Sequence, residues 1–164
     1  MRTRRGTTYG ATLFYVLIAM TRATTITHTH APTDGTVTLT YDERFLRRKL
    51  LTSDSGEDFL VDLPETVSLN TGDAFKLEDG RLFSVKPAVE DLLEVKGSDL
   101  VRLAWHIGNR HTPCQLATDR LLIQRDHVMR DMLTKLGAEL RDVSEAFTPE
   151  GGAYGHGRTH GHAH

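Results

Sequence analysis

Ser98-Asp-Leu-Val-Arg-Leu-Ala-Trp-His-Ile-Gly108 and Asp126-His-Val-Met-Arg-Asp-Met-Leu-Thr-Lys-Leu-Gly137 are the two stretches that decide the fold. Each opens on a side chain able to cap a helix N-terminus. Each closes on glycine, which suits the left-handed residue after a helix. Leu100, Leu103, Ala104 and Ile107 fall at helical spacing in the first, so a helix is expected from Ser98 to about Gly108. Val128, Met129, Met132, Leu133 and Leu136 give the second an apolar face behind its Asp126 cap. Working outward, Ala88 to Val95 reads as a strand. Thr112 to Ala117 and Arg120 to Ile123 read as two short strands around a Thr118-Asp119 turn, and Ala138 to Val143 as a last strand. The order β-α-β-β-α-β is the ferredoxin-like split motif, an α+β arrangement of four antiparallel strands with two helices on one face. Its sheet edges suit dimerisation. The fold by itself assigns no function.

Upstream the period shortens to two. Val37, Leu39 and Tyr41 alternate with Thr36, Thr38 and Thr40. Strands are expected at Phe45 to Leu51, at Phe59 to Leu63 with Pro64 ending it, and at Val67 to Leu69. Phe75 to Leu77 and Leu82 to Val85 flank Asp79-Gly80, a hairpin signal. Short strands punctuated by turns predict a small all-β barrel or sandwich, a docking or shielding module with no catalytic cluster. Thr21 to Gly35 is polar and is expected to fray, and its His28 and His30 make a weak metal pair or plain solvated surface. The layout is therefore an extension over residues 1–35, a β-rich domain over 36–86, a ferredoxin-like domain over 87–147, and a flexible His-rich tail over 148–164.

The first residues are read apart. Arg2, Arg4 and Arg5 precede an apolar run from Ala11 to Met20, the outline of a signal peptide. Thr21-Arg22-Ala23 is a poor cleavage site, and the favoured reading is translation from Met20 and a cytoplasmic protein. The run is too short to cross a bilayer, so no membrane partner is expected. A net charge of −2 favours no polyanion, which argues against nucleic acid. One cysteine excludes an internal disulfide.

Histidine carries the remaining signal: nine in all, four of them in the last nine residues. Three candidates cluster in His106-Ile-Gly-Asn-Arg-His111-Thr-Pro-Cys114, at the end of the first helix. His106 lies off the centre of the apolar stripe and suits a bridging role on the helix. His111 falls past the helix. A lone loop histidine is ordinarily polar surface, but beside a twofold axis it would meet its own copy and form a bis-imidazole site. Imidazole suits Ni, Cu and Zn, so geometry or supply would have to select among them. Cys114 is either a soft ligand or a small buried residue. His127, at the start of the second helix, is either a neutral ligand or a helix-start hydrogen-bonding group. His156, His160, His162 and His164, spaced four, two and two apart among glycines, can wrap an ion. Binding should weaken near the reference imidazole pKa of ~6.5 and below.

His106-Ile-Gly-Asn-Arg-His111-Thr-Pro, Asp126-His127-Val with Met132-Leu133 and Leu136-Gly137, and Phe147-Thr-Pro-Glu-Gly-Gly-Ala-Tyr154-Gly-His156 together resemble the urease accessory protein UreE family of nickel metallochaperones. The resemblance runs from about Ala88 to the end. It implies a β-domain followed by a ferredoxin-like domain that pairs into a homodimer. It implies Ni(II) as cargo, held by His111 of both protomers with tail histidines adding ligands, and Zn(II) or Cu(II) as competitors. It also implies delivery through the urease accessory GTPase UreG to apo-urease and its accessory proteins. One departure is visible. Some members carry a His-x-His pair ending at the Asp-His-Val histidine, whereas here Arg125 stands two residues before His127. A His-rich Cu/Zn/Ni buffering or storage protein is the alternative. A metallohydrolase ranks last, because no His-Glu-x-x-His occurs.

Overall fold

The computed structural model describes residues 20–151. Residues 1–19, with all of the apolar run but Met20, and the four tail histidines lie outside these residues. The described chain forms β1 (Arg22–His28), β2 (Gly35–Leu39), β3 (Phe45–Thr52), β4 (Asp58–Ser68), β5 (Asp73–Leu77), β6 (Leu82–Pro87), β7 (Val89–Lys96), α1 (Leu100–Asn109), β8 (Gln115–Leu116), β9 (Leu121–Gln124), α2 (His127–Lys135) and β10 (Glu139–Ala146).

The first six strands form one mixed sheet in the order β2-β6-β5-β1-β4-β3, with β1 parallel to β4 and β2 parallel to β6. Phe59 on β4 and Phe83 on β6 lie three strands apart in that order, which in a flat sheet is about 14 Å. Their rings are 5.3 Å apart, edge to face, so the sheet curls round a single core. Asp54 joins its two outer strands. Just past β3, its N–H donates to the Thr36 carbonyl on β2 (2.8 Å), and its carboxylate accepts from the Thr36 hydroxyl (2.5 Å) and the Thr38 N–H (3.0 Å). The Thr36 hydroxyl bond, above all, holds the Asp54 carboxyl below its ordinary range.

Two expectations for this half are corrected. Thr21 to Gly35 does not fray from the sheet: Arg22–His28 is an inner strand between β5 and β4, and Ala23 is fully buried. Polarity misled there, because threonine is β-branched and suits a strand. Pro64 does not end its strand either; β4 continues to Ser68. The pairing with β3 jumps from Arg48↔Asp62 to Leu46↔Val67, so Pro64 falls in a bulge where no ladder N–H is required.

The second sheet is antiparallel in the order β10-β7-β9-β8, with both helices packed on one face: the ferredoxin-like topology. Leu93, Val95, Leu121 and Ile123 meet Leu103, Ile107, Met129 and Leu133 there. Val128, expected on this face, is instead half exposed. On the opposite face Leu92, Leu122 and Phe147 form a smaller cluster joined by Tyr41 from the first half. Tyr41 also donates its N–H to Glu90 (2.6 Å), and the Arg44 guanidinium donates to the Phe147 carbonyl.

Both helices stop in one pattern. Asp99, one residue later than the expected Ser98, caps α1 by accepting from the Arg102 N–H (2.9 Å). Asp126 caps α2 as expected, accepting from Met129 (2.7 Å). Gly137 closes α2 with φ +81°: its N–H reaches the Thr134 carbonyl and that of Ala138 reaches Leu133, both at 3.0 Å. Gly108 does not close α1. The helix continues to Asn109, and His111 takes the left-handed position.

Candidate metal centre

His111 has φ +56°, and no other non-glycine residue described here has a positive φ. Its N–H donates to the Gly108 carbonyl (2.9 Å), and the Thr112 N–H to that of Ile107 (3.4 Å). Glycine would fill this position without the roughly 1–2 kcal/mol that a β-carbon costs in left-handed backbone. A strained residue held by its surroundings is a reason to look for a role. The neighbours on either side reach across to α2: Arg110 Nε lies 3.0 Å from Met132 Sδ, and Thr112 Oγ1 lies 3.6 Å from Met129 Sδ. Between these contacts the His111 side chain is exposed.

The remaining expected ligands take different places. His106, half-buried, lines a groove of about 490 Å³ between α1 and α2 with Asn109, Val128 and Asp131. Cys114 packs at the edge of the helix-facing core. Burial first, and the nearby Glu150 charge second, push its thiol up to about 11. His127 is exposed as the first residue of α2. Arg125, two residues before it, donates to the carbonyls of Leu92 and Val143 and so ties β7 to β10, which is a structural use of the position. Among the described residues no three His, Cys, Asp or Glu side chains gather into a group able to hold an ion. His156, His160, His162 and His164 lie outside these residues.

Sequence reasoning missed how the tail is rooted. After β10, Phe147 is fully buried, the Thr148 N–H donates to Gln115 Oε1 (2.7 Å), and the Glu150 N–H to the Cys114 carbonyl (2.9 Å). Residues 147–150 therefore run beside the segment that follows the His111 turn. His156 is six positions beyond Glu150, within about 20 Å of that anchor when extended. The signal was present in Phe147-Thr-Pro-Glu, an apolar residue and a proline set at the edge of a glycine-rich end.

Also on α1, Val101 and Trp105 are 83% and 63% exposed. Four residues apart, they share one face of the helix that leads to His111.

A curled β-domain, a ferredoxin-like domain and an imidazole displayed at a helix stop define a two-domain α+β protein with a candidate ligand on its surface. Comparison with known proteins is more specific. The model of the UreE urease accessory protein N-terminal domain matches residues 18–88, and that of the C-terminal domain matches residues 90–164. A urease accessory protein UreE from Ruegeria pomeroyi is 70% identical over 131 residues, covering 80% of this chain and 88% of that protein. Its counterpart in Cereibacter sphaeroides is 59% identical over 133 residues (81% and 72%), and that of a Chelativorans strain 49% over 154 (88% and 98%). The chain belongs to the UreE family of urease accessory proteins, and its role lies in urease maturation. No helix among the described residues is long and apolar enough to cross a membrane.

Proposed function

We propose that this chain is a nickel carrier with no catalysis of its own. It forms a homodimer that binds Ni(II) through His111 of both protomers and passes it, through the accessory GTPase UreG in the cytoplasm, to apo-urease. The observation that carries this reading is His111 itself: an exposed imidazole kept where glycine would be easier, at the end of a helix whose Val101 and Trp105 are uncovered. Pairing two α1 faces would bury that apolar surface and bring the two imidazoles together. Two imidazoles hold an ion without enclosing it, which suits cargo that must be released.

The tail histidines complete or load the site, and the Glu150 anchor starts them beside it. Cys114 and His127 contribute little: the thiol is protonated at neutral pH and packed, and His127 has lost the partner position to Arg125. Zn(II) and Cu(II) compete, because imidazole does not exclude them.

Calorimetric titration of His111→Ala with Ni(II) tests the assignment. The tight shared site should vanish while the dimer stays folded, and undiminished stoichiometry per dimer would refute it. Truncation before His156 separates a carrier, which keeps its axial ion, from a buffer, which loses nearly all capacity.

A further inference from the structure

A second pair of histidines, on the other domain, is built more carefully than its exposure suggests. β1 pairs with β5 so that His28 lies opposite Asp73. Asp73 is held at both oxygens: Oδ2 accepts the Asn70 N–H at 2.8 Å, and Oδ1 lies 3.1 Å from His28 Nδ1. The chain beyond is fixed by the Thr29 N–H, which donates to the Gly72 carbonyl at 2.9 Å. Gly72 has φ +95°, and a β-carbon there would come within 2.6 Å of His28 Cε1. The imidazole thus rests on a surface that only glycine leaves open. His30 stands edge-on to it, with ring centroids 4.9 Å apart.

This is the arrangement a metal-binding imidazole needs. A carboxylate that accepts the Nδ1 proton fixes the tautomer and the ring orientation and leaves the Nε2 lone pair free. Two imidazoles bound to one ion at about 2.0–2.1 Å, with N–metal–N angles between square and tetrahedral, have centroids roughly 4.5–5.2 Å apart. The observed separation falls inside that interval. The His28 side chain is 56% exposed, so an ion can enter and water can fill the remaining positions.

We propose that His28 and His30 form a separate two-imidazole site for a borderline divalent transition-metal ion, with Asp73 as the positioning residue for His28 and Gly72 as its seat. The site goes beyond the His111 reading and shares no residue with it. Cu(II) should bind it most tightly among the first-row divalent ions, as at any such nitrogen site.

Cu(II) is the probe for its test, because its paramagnetism broadens nearby amide signals. Full-length protein labelled with ¹⁵N is titrated past the capacity of the His111 and tail sites. The amides of Thr29, Gly72 and Asp73 should broaden with a midpoint of their own. His30→Ala, at an exposed position, should raise that midpoint tenfold or more. Asp73→Asn should raise it about tenfold, the lower end of the loss typical for a supporting group. His111→Ala should leave it unchanged, so failure of this site and failure of the His111 assignment read out separately. No local broadening, or one midpoint shared by wild type, His30→Ala and Asp73→Asn, would overturn the proposal.

Discussion

α1 and α2 end in the same pair of reversed hydrogen bonds, but one turn is made by His111 and the other by Gly137. At Gly137 the backbone needs a left-handed residue and the sequence supplies the one that adopts it freely. Apart from its own chain neighbours, no residue comes within 4 Å of where a β-carbon would sit, so conformation alone accounts for glycine there. At His111 the same need is met by a residue with a β-carbon and an imidazole. Local stability would choose glycine at both ends, and the difference marks where another demand has outweighed it. In the proposed function that demand is a ligand presented outward at a fixed angle, between neighbours pinned to α2 by Met132 and Met129.

The largest expected effect breaks the comparison on the side of function. His111→Gly makes the two turns alike, and nickel affinity per dimer should fall roughly 100-fold or more, beyond the 10–100-fold that loss of a supporting group brings. Equilibrium dialysis against Ni(II) measures it. A loss below tenfold would mean that the tail histidines bind without the axis.

Cys114 comes next, three residues past the same turn. Its thiol lies about two pH units above the ordinary 9.0, so its thiolate fraction near pH 8 is lowered about 100-fold, and alkylation by iodoacetamide should be slower to match. Nickel should not change that rate if Cys114 only packs; strong protection would return it to the ligand set. The linkage has a sign. A thiol whose folded pKa is raised contributes stability that is full below pH 9.0 and lost as pH climbs towards 11. The denaturation midpoint should therefore decline across that window in wild type and decline less in Cys114→Ala. A smaller effect belongs to the other turn. Gly137→Ala should cost about 0.5–1 kcal/mol with nickel binding intact, because about 1–2 kcal/mol of left-handed strain is partly offset by the lower freedom of alanine in the unfolded chain, at a helix end that carries no ligand. Unchanged stability in urea melts would show that the α2 stop tolerates a β-carbon.

The ferredoxin-like half was legible because its signals were local and repeated, the Asp126 cap and the apolar spacing of both helices, and the Asp79-Gly80 hairpin of the first sheet was legible for the same reason. Where the reading failed, a distant partner decided. Thr21 to Gly35 looks too polar to fold, yet β1 is held by β4 and β5, whose paired residues lie 38 to 54 positions away. Pro64 looks like a stop until the β3 register shows a bulge ready to take it. At α1 the sequence offers a glycine at 108, yet the helix runs on to Asn109 and His111 takes the left-handed position, which sets Thr112 3.6 Å from Met129. The motif around His111 is legible in the sequence; that the residue occupies a glycine's conformation is visible only in the backbone. The buried Phe147 and the backbone bonds that root the tail have no sequence period at all.

The smallest expected effect is also the sharpest, since it asks whether His111 is strained. Without metal, His111→Gly relieves about 1–2 kcal/mol of left-handed backbone cost and returns about 0.5–1 kcal/mol through the greater freedom of glycine in the unfolded chain. The net gain is about 0.5 kcal/mol, whereas His111→Ala keeps the β-carbon and gains nothing. In chelator, glycine should therefore melt above histidine, and alanine at or below it. Nickel should invert that order, because an ion bound only by the folded dimer adds ~2.7 kcal/mol at a hundred times its dissociation constant. A glycine variant that melts below alanine in chelator would show that the His111 side chain stabilises the turn by its own contacts, and the contrast with Gly137 would then reflect packing and not cargo.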